Sequence, residues 1–224
     1  MLRLLADRPM LSHVIERIKK ALTLDKIVVA TTRLPQDDPI IRLARQAGVA
    51  WYRGPEEDVL ARYAGAAKEA GTDVVVRITS DCPLIDPVTV DHVVRYFLAH
   101  DYDYVAAGVG SGFPRGLDTE VFTQEALIKA ERQAHDEISR EHVTPYIWRH
   151  PEIFRLDRYQ APPVLCHPGW RLCVDEEDDF RLIEEIYNRL YRSDLPVDIR
   201  EVVRLLENEP CLLQLNAHVR QKVV

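Results

Sequence analysis

A chain of 224 residues, 46% apolar and 29% charged, is long enough to bury one substantial core and has the composition of a globular protein. Its formal charge of -7 excludes a nucleic-acid backbone as the main partner, since such binding needs basic patches to displace counterions; a nucleotide stays open, because a divalent cation neutralises phosphate locally. No stretch approaches the roughly 20 apolar residues of a membrane span, no secretory cleavage pattern opens the chain, and Cys82, Cys166, Cys173 and Cys211 lack paired metal-ligand spacing, so the expectation is a cytoplasmic protein without a membrane partner.

The first residues, 1–7, read as a segment entered part-way. Pro9 suits a first helical turn, and Met10, Val14, Ile15, Ile18 and Leu22 recur at helical spacing. A buried strand over 26–31 leads to a helix over 40–47, opened by Asp37-Asp38-Pro39 and ended by Gly48. A short strand over 49–52 and a helix running to Ala70 come next, with Gly71 as the stop. Glu56, Glu57 and Asp58 precede that helix, where its dipole favours negative charge.

Val74, Val75, Val76 and Ile78 form a short β-branched run of the kind buried on both faces of a parallel sheet. A helix over 88–100 and a strand over 102–107 continue the alternation that signals a sheet covered on both sides. Residues 108–116 hold four glycines and read as a loop over the ligand edge. A half-exposed strand over 117–122 comes next, and Thr123 caps a helix over 125–133. Residues 135–150 read as mostly helical despite Pro145, with strands over 153–159 and 170–174 beyond them. Helices over 180–191 and 199–206 precede an irregular tail over 208–224, and the whole reads as one domain over 1–224.

Two strands end on an aspartate. After Ile78 come Thr79, Ser80 and Asp81, and Pro83 and Pro87 forbid immediate continuation into a helix or central strand. Ligands of open α/β sheets sit beyond the carboxyl ends of the strands, which makes Asp81 a candidate ligand-binding carboxylate. Its plainer role would be to accept from turn amides, and Asp86 reads as a helix cap. Asp175 ends the 170–174 run. Glu176, Glu177, Asp178 and Asp179 lie beyond it, where a helix dipole alone selects acids. Two carboxylates on one sheet edge suit magnesium, which is held by one or two carboxylates with water and substrate phosphate completing the octahedron. Such a site serves phosphoryl or nucleotidyl transfer.

Four blocks carry a resemblance: Val75-Val-Arg-Ile-Thr-Ser-Asp-Cys-Pro-Leu-Ile-Asp-Pro87, Gly116-Leu-Asp-Thr-Glu-Val-Phe122, Arg140-Glu-His-Val-Thr-Pro-Tyr-Ile147 and Leu172-Cys-Val-Asp-Glu-Glu-Asp-Asp-Phe180. In this order they resemble the SpsF-like, spore-coat-polysaccharide type cytidylyltransferases, relatives of the CMP-KDO and CMP-acylneuraminate synthetases. The resemblance implies a Rossmann-like nucleotidyltransferase (GT-A-like) three-layer α/β sandwich with a mostly parallel sheet. It implies transfer from CTP to a sugar with release of pyrophosphate, in polysaccharide or surface-glycan precursor synthesis, with Mg2+ as cofactor. On the same ground Asp81 and Asp175 are the expected metal-binding and catalytic pair, Arg77 and Ser80 join Asp81 at the nucleotide, and Asp118, Glu120, Glu141 and His142 face the sugar.

The chain departs from that family at its start. Members open with a strand and a loop resembling Ala-Arg-Met-Gly-Ser-Thr-Arg-Leu-Pro-Gly-Lys that wraps the triphosphate, whereas Met1-Leu-Arg-Leu-Leu-Ala-Asp-Arg-Pro-Met-Leu11 resembles the segment that leads from this loop into the first helix. The expected sheet therefore lacks its first strand. Residues 2–5 could be drawn into that place, another chain could fill it, or the sequence could start after it, the last being favoured. Two further readings stay open: a non-catalytic nucleotide- or sugar-binding subunit, and a GT-A glycosyltransferase. The glycosyltransferase would be favoured by an Asp-x-Asp pair where the chain has Ser80-Asp-Cys82. Val109, Phe113, Tyr146 and Trp148 are apolar residues that read equally as part of an interface, such as that of a homodimer, or as core.

Overall fold

The computed structural model describes residues 1–193 and 195–221. It opens with a small antiparallel hairpin, β1 (Leu4–Leu5) and β2 (Arg8–Pro9), turned at Ala6 and Asp7, both with positive φ. Residues 2–5 therefore pair locally and enter no larger sheet. Helix α1 (Met10–Ile18) begins directly after the hairpin, with Pro9 as N-cap. Next come β3 (Val28–Thr32), α2 (Asp38–Gln46), β4 (Ala50–Gly54), α3 (Val59–Ala70), β5 (Val74–Arg77), α4 (Pro87–Leu98) and β6 (Tyr104–Ala107). The second half holds β7 (Thr119–Thr123), α5 (Gln124–Gln133), α6 (Glu137–His142), α7 (Pro145–Trp148), β8 (Leu156–Arg158), α8 (Glu177–Leu190) and α9 (Ile199–Asn208).

The main strands form two ladders. β3 and β4 pair in parallel, and a four-stranded sheet runs in the order β5-β7-β6-β8. Where a mostly parallel sheet is expected, β7 runs antiparallel to both β5 and β6, while β6 and β8 are parallel. The reason is the glycine-rich connection, which returns the chain from the end of β6 to the start of β7 at the same sheet edge. The expectation of a half-exposed strand there also fails. With a neighbour on each side, Val121 and Phe122 of β7 are fully buried. Among the described residues, no strand pairs with the second edge of β3 or of β5.

Alternation along the strands builds three layers. Val105 and Val121 face a core shared with Met10 and Val14 of α1, Val90 and Val94 of α4, Ile183 of α8 and Val203 of α9. Tyr104 and Phe122 face the opposite way, toward Leu60 of α3, Leu127 of α5 and Ile147 of α7. A satellite core joins α1 to α2 through Leu11, Ile15, Ile40 and Ala44. Of the residues read as interface or core, Phe113 is fully buried in the first core.

Three other expectations are corrected. Residues 135–150 break into two short helices at Val143, whose φ is 75°, just before Pro145, which cannot donate to a continuing helix. The 170–174 run forms no strand; only an isolated bridge joins Arg115 to Arg171. Within the tail read as irregular, residues Pro210–Leu215 form a 3-10 turn that buries Leu212; residues 222–224 lie outside the described part. Among the described residues no helix is long and apolar enough to cross a membrane.

Candidate active site

Because β5 and β6 both run antiparallel to β7, their carboxyl ends and the start of β7 share one edge. The turn after β5 delivers Asp81, and the residue before β7 delivers Asp118. The 170–175 segment reaches the same edge through two neighbours. Leu172 N donates to Arg115 O at 2.7 Å, and Val174 N donates to Asp81 O at 2.9 Å. The second bond sets Asp81 and Asp175 side by side. One donor atom each from Asp81, Cys173 and Asp175 lie within 4.8 Å of one another.

Several contacts lock the Asp81 turn. Arg17, 3% exposed, donates from Nε to Ile85 O at 2.6 Å and from Nη2 to Leu84 O at 3.2 Å. Tyr187 donates its hydroxyl to Pro83 O at 2.8 Å, and burial pushes that phenol up to about 12. Asp86 accepts from Thr89 N at 2.9 Å at the start of α4, so it is the helix cap read from sequence. Ser80 donates to Met1 Sδ at 2.7 Å. Arg3 forks onto Glu177 and lies over the Phe180 ring, 3.5 Å from its centroid, bringing a guanidinium to the start of α8.

Asp175 is set by a second group of contacts. Asp179 is fully buried and takes Arg171 in a two-pronged pair, Nε to Oδ1 at 2.8 Å and Nη2 to Oδ2 at 3.0 Å. The backbone amides of Asp175 and Glu176 also donate to Asp179 Oδ2. Burial alone would raise the Asp179 carboxyl, but the bonds from Arg171, Asn216 and these amides outweigh it and hold it below the usual range. Arg171 Nη2 reaches on to Asp175 Oδ2. Sequence reading set Asp179 aside as dipole decoration and did not single out Arg171, Cys173 or Asn216. The one signal available was the spacing of Arg171, Asp175 and Asp179, four residues apart.

The other candidates separate. Asp118 accepts from Gly116 N at 2.7 Å, and burial raises its carboxyl above the ordinary value, with Asp81 and Glu120 adding to the rise. Arg77 and Glu120, opposite each other on β5 and β7, form an ion pair with side chains 19% and 14% exposed. Tyr104 Oη and Thr144 Oγ1 also donate to Glu120, at 2.6 and 2.7 Å. This pair is closed under the α3 side of the sheet. Glu141 and His142 sit at the end of α6, 3.9 Å apart, Glu141 exposed and His142 half-buried. No hydrogen bond or ion pair joins either to Asp81, Asp118 or Asp175 among the described residues. The structure thus gathers Asp81 and Asp175, with Ser80 adjacent in the turn and Asp118 near enough to Asp81 to feel its charge, and places Arg77, Glu120, Glu141 and His142 outside that group.

The donor set suits a hard cation. Two carboxylates with open space for water and phosphate oxygens are what magnesium takes, whereas the Cys173 thiol is soft and matches other metals better. Burial raises that thiol, which is 3% exposed, keeping it a neutral neighbour of the carboxylates.

A family model described as cytidylyltransferase matches residues 1–218. An uncharacterized protein of Methanocaldococcus jannaschii, MJ1063, is 40% identical over 218 residues, 97% of this chain and 88% of that protein. The spore coat polysaccharide biosynthesis protein SpsF of Bacillus subtilis is 30% identical over 217 residues, 93% of this chain and 88% of SpsF. The solved structure of a cytidylyltransferase from Leptospira borgpetersenii serovar Hardjo-bovis superposes with a TM-score of 0.88 at 27% identity, covering 100% of this chain and 91% of the other.

Proposed function

The chain belongs to the cytidylyltransferase family, and on that premise we propose that it transfers a cytidylyl group from CTP to a sugar, releasing pyrophosphate, with Mg2+ at Asp81 and Asp175. The observation that carries the reading is the convergence of these two carboxylates on one sheet edge, where open α/β sheets bind ligands. A sugar hydroxyl oxygen attacks the α-phosphorus in line and gives up its proton to water, while the bond from that phosphorus to the bridging oxygen breaks and its electron pair leaves with pyrophosphate. Asp81 and Asp175 would hold the cation with the triphosphate, and the buried contacts of Arg17 and Asp179 would keep both carboxylates aimed at the same point. When bound, the cation draws on phosphate oxygens and offsets charge on the departing pyrophosphate. SpsF's description as a polysaccharide biosynthesis protein supports a sugar acceptor and a place in surface-glycan precursor synthesis.

Pyrophosphate release from CTP over a panel of sugars, with and without Mg2+, tests this reading. Turnover should require the metal and fall at least a hundredfold in Asp81→Asn and in Asp175→Asn. Unchanged turnover in either variant would remove that carboxylate from the site. The interrupted ladder between β3 and β5 favours a second reading, a nucleotide-binding partner without turnover. CTP binding without pyrophosphate release in this chain and in an N-terminally extended form would select it.

A further inference from the structure

We infer that Asn216, from the segment after α9, is a positioning residue for the proposed cation site, acting through Asp179 and Arg171 on Asp175; this rests on the reading of Asp81 and Asp175 as cation ligands. Asn216 is 3% exposed, and its side-chain amide makes two bonds. Nδ2 donates to Asp179 Oδ1 at 2.9 Å and to the backbone carbonyl of Arg171, also at 2.9 Å. The same side chain therefore fixes both ends of the Arg171 to Asp179 pair: the acid and the backbone that carries the guanidinium.

The pair in turn fixes Asp175 twice. Arg171 Nη2 holds its carboxylate, and Asp179 Oδ2 holds its backbone amide at 3.1 Å. Asp175 is itself rather open, with its side chain 43% exposed, so beyond a contact from the Cys173 thiol at 3.5 Å little else restrains its rotamer. Asp179, by contrast, receives donors at both oxygens from four residues and has no solvent access. Groups that orient a metal ligand in this way commonly change metal affinity about 10- to 100-fold when removed.

Asn216 also gives the C-terminal segment its connection to the site. Leu212, in the preceding 3-10 turn, is buried against the first core, and the chain then delivers Asn216 under Asp179. Leu212 and Asn216 thus anchor the same segment by different chemistry, one apolar and one polar. That difference separates a positioning role from a purely structural one.

The test is Mn2+ binding to the full chain, read from the electron paramagnetic resonance signal of free Mn2+, with unfolding followed alongside. Asn216→Ala is expected to weaken Mn2+ about tenfold. Asp179→Asn is expected to weaken it by about 10- to 100-fold, because the guanidinium of Arg171 and the backbone amide of Asp175 then lose the carboxylate that fixes them. Leu212→Ala, which loosens the same segment without touching the polar array, should lower Tm and leave Mn2+ affinity at the wild-type value. Wild-type affinity in Asn216→Ala, or an equal loss in Leu212→Ala, overturns the positioning role. Wild-type chain that binds no Mn2+, or binds it equally well as Asp81→Asn, overturns the cation-site reading itself and takes the positioning role with it.

Discussion

Replacing Gly116 by alanine should show how tightly the glycine-rich connection is packed against the segment that carries Asp175. Gly116 has a φ of +100°, and an added Cβ would lie 2.5 Å from Leu172 C and 2.6 Å from both Cys173 N and Leu172 O. All three are backbone atoms, so no side chain can swing away. An L-residue in left-handed backbone costs about 1–2 kcal/mol, and overpacking a fitted site costs about 1–3 kcal/mol. The sum, about 2–5 kcal/mol, corresponds to a Tm fall of about 5–15 °C in a chain of this size. Gly48→Ala is the control: its φ is +66° and nothing lies within 4 Å of the added carbon. It should show only the backbone cost, about 1–2 kcal/mol. The displaced Leu172 and Cys173 lie next to Asp175, so Gly116→Ala should also weaken Mn2+ binding while Gly48→Ala does not. Scanning calorimetry of both variants decides the matter, and equal Tm losses would refute the clash.

Asp86→Ala removes the α4 cap and should cost about 0.5–2 kcal/mol, a Tm fall of a few degrees in calorimetry with Mn2+ binding unchanged. Glu120→Ala leaves the Arg77 guanidinium buried without its partner and should cost about 3–5 kcal/mol in urea unfolding, whereas replacing both residues by leucine should recover most of that loss. Asp179 has a carboxyl held below the usual range, so its contribution to stability is present above the unfolded value of about 3.9 and is lost as pH falls through the folded value. Asp179→Asn should therefore flatten the acid limb of the stability curve, and an unchanged limb would show that other groups control it.

The alternation of elements, and with it the layered α/β architecture, was legible because Val-rich strands and Gly- or Pro-punctuated helices carry their own periods. The direction of β7 was not. Its Leu117 to Phe122 pattern of alternating residues is the same for either orientation, and its central burial comes from pairing on both sides. The 170–174 run misled for a similar reason, since its extended, apolar residues make bonds to two different neighbours and no continuous ladder.

The meeting of Asp81 and Asp175 at one sheet edge was readable from their positions after apolar runs. Arg77 and Glu120 were read toward ligands, yet they sit on adjacent strands in facing register and neutralise each other. Such a cross-strand pair is invisible until the register is known. Asn216 and Asp179 are 37 residues apart, and neither belongs to a local motif that announces the contact. Cys173 escaped the cysteine count because its neighbours at the site are carboxylates rather than other thiols.

A cation-dependent CTP site at the Asp81 and Asp175 edge should show in the Tm of the chain with Mg2+ and each of CTP, UTP, ATP and GTP, since a ligand that binds only the native state raises it. The rise with CTP should exceed that with the other three, vanish without Mg2+, and be lost in Asp81→Asn. A rise that survives in Asp81→Asn, or one larger for another nucleotide than for CTP, would contradict it.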